Sequence, residues 1–243
     1  MRIYTFPIRR RVSRMGQVIR ALVRFEVLLM KKSVVFFIAL TFSCFLIPLF
    51  LYLGAGNKNN ELWIFLHHGQ MFFTILLMPL MYSVLYDGEK QKMISSVIMP
   101  KLLKGAQYFY CKSFVLWGVV CLFQFVALAM ICVVQWSTHG KAPFLILLHL
   151  TVAGLATMGY SVQITVILNL LLRKQLYVNI VMLVYLLISI TINFPYISIW
   201  FNPDWIISNF FTQSFAFGRI FLFLFMWVLM KVSNHLWMAR VQE

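Results

Sequence analysis

Few side chains in this chain have the types and spacing that catalysis requires. All six carboxylates lie outside the long apolar runs, so no buried carboxylate is expected: Glu26, Glu61, Asp87, Glu89, Asp204 and Glu243. His67 and His68 follow Glu61 and could ligate a metal, but a third ligand is missing, and we interpret them as interfacial polar residues. Zinc-protease, serine-hydrolase and Walker A motifs do not occur. We therefore expect neither enzymatic activity nor a bound metal or cofactor in this chain.

The apolar content of the sequence indicates a membrane protein. Of the 243 residues, 62% are hydrophobic and only 11% are charged, more apolar surface than one soluble core can cover. The apolar runs have the length of membrane-spanning helices and not of the shorter strands of a barrel. The four cysteines lie in or beside these runs without CxxC spacing, which predicts small buried side chains: Cys44, Cys111, Cys121 and Cys132.

The order of the runs predicts an all-α membrane protein with one transmembrane domain over residues 1–243. Residues 1–32 form an amphipathic cytoplasmic segment, and residues 33–243 form a bundle of six spans. Residues 195–218 are rich in aromatic side chains and predict short re-entrant helices before the last span. The predicted spans are residues 33–53, 62–86, 113–136, 143–172, 176–194 and 215–232.

The positive charges predict the orientation in the membrane. With six spans, 18 of the 21 Lys and Arg residues fall on the side that holds both termini. Cytoplasmic loops carry this excess, so both termini are expected to be cytoplasmic. The basic amino-terminal segment has apolar residues at helical spacing, which predicts a helix at the membrane surface. Its cationic side chains are expected to contact anionic lipids and not nucleic acid: Arg9, Arg10, Arg11 and Arg14.

A polar segment between the second and third spans, Tyr86 to Ser113, predicts a second surface helix. Its apolar residues recur every three or four positions, as on one face of a helix, and include Met93, Val97 and Ile98. Pro100 ends or kinks this helix because its nitrogen carries no hydrogen. A cytoplasmic helix between two spans offers a contact surface to a cytosolic protein.

Polar residues inside the predicted spans allow two interpretations. His149, Gln163 and Asn169 all fall on the fourth predicted span. Amides and small residues in spans are typical of helix–helix packing. The same residues could instead line a weakly polar translocation path at a dimer seam. The sequence leaves both interpretations open.

In arrangement, the chain resembles the transmembrane subunit of an ABC-2 type exporter. Asp87-Gly88-Glu89 precedes an apolar-spaced stretch that reaches Pro100, and Lys112 opens the third span, as in that family. Arg24 and Glu26 before the first span are similar to the family's connecting helix, and Phe201-Asn202-Pro203 to its turn before the last span. Lys-Gln-Lys at positions 90–92 departs from the Gly-Thr that is common in the family's coupling helix.

The resemblance implies a permease in a bacterial cytoplasmic membrane that exports a peptide, an antibiotic or bacteriocin, or an amphipathic lipid-like substrate. It implies a second permease copy or paralogue and a cytosolic ATP-binding subunit, which would hold the ATP and Mg²⁺. The residues that would couple to this ATPase are Asp87, Glu89, Met93, Val97, Ile98 and Pro100. The alternative is a six-span scaffold or assembly protein without transport activity.

The charge asymmetry generates a labelling prediction. Cysteines introduced at Asn59 or Thr138 should react with an impermeant maleimide in intact cells, because both positions are predicted to face outward. A cysteine at Lys101 should react only after the membrane is opened. Equal labelling of intact cells at all three positions would contradict the six-span topology.

Overall fold

The computed structural model describes residues 19–28, 30–55, 62–86, 105–140, 144–172, 174–191 and 213–242. Within these ranges the chain is helical with short turns, and it contains no strand. The amino-terminal helix α1 is described over residues 19–28 and 30–31. The helices that follow are α2 (Val34–Thr41), α3 (Ile47–Ala55), α4 (Leu62–Leu85), α5 (Gly105–His139), α6 (Phe144–Leu172), α7 (Gln175–Thr191) and α8 (Gln213–Gln242).

Three helical stretches in the described part of the chain are long and apolar enough to cross a membrane. They are Ala106–Thr138 in α5, Gly154–Leu172 in α6 and Ala216–Ala239 in α8. The prediction of an all-helical membrane protein is confirmed at this level.

Two helices extend well beyond their predicted spans. α5 begins at Gly105 instead of near Ser113, and α8 continues to Gln242 instead of ending near Val232. The first turns of α5 are ordered by packing, because Tyr108 and Phe109 are buried against Trp237 near the end of α8. By contrast, α4 and α6 lie within one residue of their predicted bounds.

A π-helical segment, Phe42–Leu46, joins α2 to α3. Pro48 follows it, and a proline ring clashes with the carbonyl group four residues earlier while offering no N–H to it. The widened turn relieves this conflict, and the Ile47 N–H donates to the Phe42 carbonyl, five residues back. One result is that Ser43 and Cys44, both inside this segment, are fully buried.

The core lies where α4, α5, α6 and α8 pack together. α6 and α8 approach closely at Gly159, where a Cβ atom would collide with the Met226 sulfur. The Trp117 indole N–H of α5 donates to the Leu155 carbonyl of α6 at 3.1 Å, which fixes a third helix at the same level. A small residue at a close helix crossing is typical of membrane bundles.

Several predicted features lie outside the described residues. These are the surface helix with its six coupling residues (Asp87, Glu89, Met93, Val97, Ile98 and Pro100), the amino-terminal Arg9, Arg10, Arg11 and Arg14, and most of the aromatic segment 195–218. They stay predictions.

Candidate functional site

Helix α1 carries a carboxylate into the protein interior. Its buried side chains, Leu22, Glu26 and Met30, recur every four residues and therefore lie on one face of the helix. Glu26 has 0% of its surface exposed. The expectation that no carboxylate is buried is therefore wrong. The reason is that α1 packs its Glu26 face against the bundle, although Glu26 belongs to no membrane span.

The partner of Glu26 is Lys112, near the start of α5. The Lys112 Nζ lies 3.5 Å from the Glu26 Oε1, and both side chains are withdrawn from solvent. The ammonium group also donates a hydrogen bond to the Leu85 carbonyl at the end of α4. It sits over two aromatic rings, 5.1 Å from the centre of Tyr86 and 5.0 Å from that of Tyr108. The buried charge is thus solvated by a carboxylate, a carbonyl and two rings.

Tyr108 completes the polar contacts of Glu26. Its hydroxyl group donates to the Glu26 Oε1 at 3.2 Å, so that oxygen receives both the hydrogen bond and the ion pair. The second oxygen, Oε2, is buried and has no hydrogen-bond partner among the described residues. Burial raises the pKa of Glu26 above its ordinary value, while the Lys112 charge and the Tyr108 hydrogen bond oppose that rise.

We call Glu26, Lys112, Tyr108 and Tyr86 the ion-pair cluster. Tyr86 links the end of α4 to α5, because its hydroxyl group lies 3.2 Å from the Ser113 Oγ of α5. The ring of Tyr86 stacks on Tyr82 with centroids 4.3 Å apart, and the ring of Trp237 from α8 lies 6.2 Å from that of Tyr108. The cluster therefore joins α1, α4, α5 and α8 at the point where the chain enters and leaves segment 87–104.

A second polar cluster lies inside the bundle. The Gln70 amide of α4 donates to Ser43 at 2.9 Å and to Thr74 at 3.1 Å, and all three side chains are fully buried. These bonds tie the π-helical segment to α4. The Gln70 Oε1 has no hydrogen-bond partner in the described part of the protein.

Two of the three residues of the predicted translocation path, Gln163 and Asn169, have described side chains. Gln163 is buried, and its Oε1 has no hydrogen-bond partner within the described ranges. Asn169 donates to the Thr165 carbonyl of its own helix at 2.8 Å, and lies about 120° around α6 from Gln163. His149 belongs to α6, but its side chain is outside the described part. A path at a dimer seam that includes all three residues stays a prediction.

Arg219 lies within one of the helices that are long and apolar enough to cross a membrane. It falls in the Ala216–Ala239 stretch of α8, and its Nη1 donates to the Thr157 hydroxyl of α6 at 2.7 Å. The contact adds a polar link between the two helices that approach at Gly159. Arginine in such a position faces the bundle interior and pairs with polar groups.

The described residues contain no group of three or more His, Cys, Asp or Glu side chains that could hold a metal. Cys44 and Cys111 are buried as predicted, and Cys121 and Cys132 are half-buried. His67, His68 and Glu61 have no described side chains. The ion-pair cluster connects α1, α4 and α5 through buried polar contacts, and this arrangement suits a mechanical role: a fixed polar joint between helices.

Sequence reasoning identified Glu26 and Lys112 separately but did not pair them. The charge pattern places Lys112 among the cytoplasmic charges, and the amphipathic pattern places Glu26 on a helix at the lipid surface. The signal that could have paired them is the four-residue spacing of Leu22, Glu26 and Met30, which puts a carboxylate in the middle of an apolar stripe. A charge in that place requires a buried partner of opposite sign.

Comparison of the chain with known protein families, with curated proteins and with solved structures finds no match. The residues and their geometry are therefore the basis for proposing a function.

The ion pair generates a stability prediction. Lys112→Met leaves the Glu26 carboxylate buried without a counter-charge, and should lower the free energy of unfolding by about 3–5 kcal/mol. The control is Lys31→Met, which removes an exposed lysine from α1 and should change it by less than about 0.5 kcal/mol. Both are measured by denaturation of the purified protein in detergent. Similar small effects of the two substitutions would show that the pair does not hold the fold.

Proposed function

We propose that this chain is the permease subunit of an ABC-2 type exporter. In this proposal a cytosolic ATP-binding subunit drives it, and the chain supplies the path through the membrane as a dimer with a second copy or a paralogue. The resemblance in residues 87–112 and around Glu26 is the starting point. The geometry of the ion-pair cluster is the observation that supports the proposal most strongly.

Six spans with both termini in the cytoplasm are part of the proposal. Besides the three long stretches, three shorter apolar helices support it: residues 34–50, 69–85 and 175–188. The first continues through α3 to Ala55, and α4 has 24 residues, so both reach the ~20 residues that a span needs. The positive charges then orient the bundle as in a bacterial cytoplasmic membrane.

The ion-pair cluster supports a coupling role for segment 87–104. In the chain the segment connects Tyr86 to Gly105. The helices on either side of it are joined by the Lys112 bond to the Leu85 carbonyl and by the Tyr86–Ser113 contact. A force applied to this segment by a cytosolic partner therefore acts on α4 and α5 together. A permease driven by a separate ATPase requires such a connection.

The exposed side of α1 supports a place at the membrane surface. Four large apolar side chains are exposed there, at 37–49% of their surface: Ile19, Val23, Phe25 and Leu28. Arg20 and Arg24 are exposed beside them. Apolar and cationic side chains together are typical of a helix that lies on anionic lipid. Arg9, Arg10, Arg11 and Arg14 would extend this contact.

The substrate in this proposal is a peptide, an antibiotic or bacteriocin, or an amphipathic lipid-like molecule. The ATP and Mg²⁺ belong to the partner subunit.

The test is purification from the native membrane in mild detergent. A permease should co-purify with an ATP-binding subunit in equal number and with vanadate-sensitive ATP hydrolysis. Val97→Asp or Ile98→Asp should abolish both, because a charge would enter the apolar contact of a helix in a groove. Val97→Ala and Ile98→Ala are the matched controls and should retain the ATPase.

The amount of each variant in the membrane and its melting temperature must equal those of the wild type. A wild-type protein that purifies without an ATPase would reject the permease proposal and favour the scaffold. Normal ATPase association by both Asp variants would place the docking surface elsewhere on the chain.

A further inference from the structure

We infer that Glu26 and Lys112 are positioning residues that hold α1 to the start of α5 while the ATPase acts on segment 87–104. In this view α1 moves as one unit with the ends of α4 and α5. The inference rests on the proposed function and deepens it, because it adds α1 to the coupling path.

The contact of α1 with the bundle is narrow. Of its described side chains only Leu22, Glu26 and Met30 are buried, and Val27 is half-buried. The opposite side is exposed over the same length. Glu26 stands in the middle of this contact stripe, so the position of α1 along the bundle depends on what Glu26 binds.

Lys112 links three helices through one ammonium group. It pairs with Glu26 of α1 at 3.5 Å, donates to the Leu85 carbonyl of α4, and belongs to α5 itself. A displacement of the end of α4 relative to α5 therefore changes the geometry around the Lys112 ammonium, and that change reaches Glu26. Apolar side chains would also attach α1, but they tolerate sliding, since dispersion contacts have no fixed direction.

Directional bonds make the attachment rigid. The Glu26 Oε1 accepts a hydrogen bond from the Tyr108 hydroxyl group at 3.2 Å and also pairs with the Lys112 ammonium group. Tyr108 lies one turn before Lys112 on α5. Two side chains one turn apart on α5 thus both bind the Oε1 atom of Glu26 on α1. Burying an ion pair is expensive and gives little net stability, so its advantage here is a defined position.

Cys111 provides a native reporter of this contact. It is 7% exposed and directly precedes Lys112 on α5. A protein with Cys44→Ala, Cys121→Ser and Cys132→Ser keeps Cys111 as its only thiol. Reaction with N-ethylmaleimide then measures whether the packing beside Lys112 at the start of α5 opens.

The experiment compares this single-cysteine permease with its Glu26→Gln variant, each in complex with the ATPase in lipid vesicles. The introduced amide keeps an acceptor for Tyr108 but lacks the charge that holds Lys112. We expect Cys111 of the parent protein to stay protected both without nucleotide and during ATP turnover. In the Glu26→Gln complex we expect labelling to rise several-fold during turnover and to fall back when vanadate stops hydrolysis.

The turnover dependence separates positioning from mere stabilisation. A purely structural role for Glu26 predicts equal labelling of the variant with and without ATP, and that result would overturn the inference while leaving the permease proposal intact. Labelling of the variant no faster than the parent in both conditions would also overturn it. Lys31→Gln, an exposed charge on the same helix, should behave as the parent protein. If no ATPase joins the wild-type complex, the permease proposal fails first, and this inference fails with it.

Discussion

A carboxylate and an ammonium group that are both buried away from water must pair with each other. In this protein the two buried groups are those of Glu26 and Lys112. The pair lies 3.5 Å apart and is surrounded by Tyr86 and Tyr108, whose rings face the ammonium group. It fixes the register of α1 against the bundle. It also brings the end of α4 and the start of α5 together, because Lys112 bonds to the Leu85 carbonyl. The positions of the two cytoplasmic elements in our proposal follow from this one contact.

The rest of the bundle uses polar contacts sparingly and at helix crossings. Gln70 ties α4 to the π-helical segment, Trp117 ties α5 to α6, and Arg219 ties α8 to α6. In a bundle surrounded by lipid, apolar contacts do not distinguish one helix pairing from another, since lipid tails are equally apolar. Directional bonds therefore select the arrangement. The Glu26–Lys112 pair differs from these because it attaches the amino-terminal helix α1 to the bundle.

The helical membrane character could be predicted because apolar run length alone determines it: α4 and α6 fall within one residue of their predicted bounds. The start of α5 could not be predicted from run length, because Gln107 and Lys112 interrupt the apolar pattern and packing on α1 and α8 overrides that signal. The buried pair was missed for the same reason. A charge next to a span is normally solvated, and only tertiary contact between residues 26 and 112 brings Glu26 and Lys112 into the interior.

The most direct test of this account is the coupling energy between Glu26 and Lys112, measured by denaturation of the wild type, Glu26→Gln, Lys112→Met and the double variant. If the two groups solvate each other, the double variant should lose less stability than the two single variants together, by roughly 1–3 kcal/mol. Single-variant losses that add to within about 0.5 kcal/mol would mean that the two residues act independently. That result would contradict the ion pair as the contact on which the position of α1 depends.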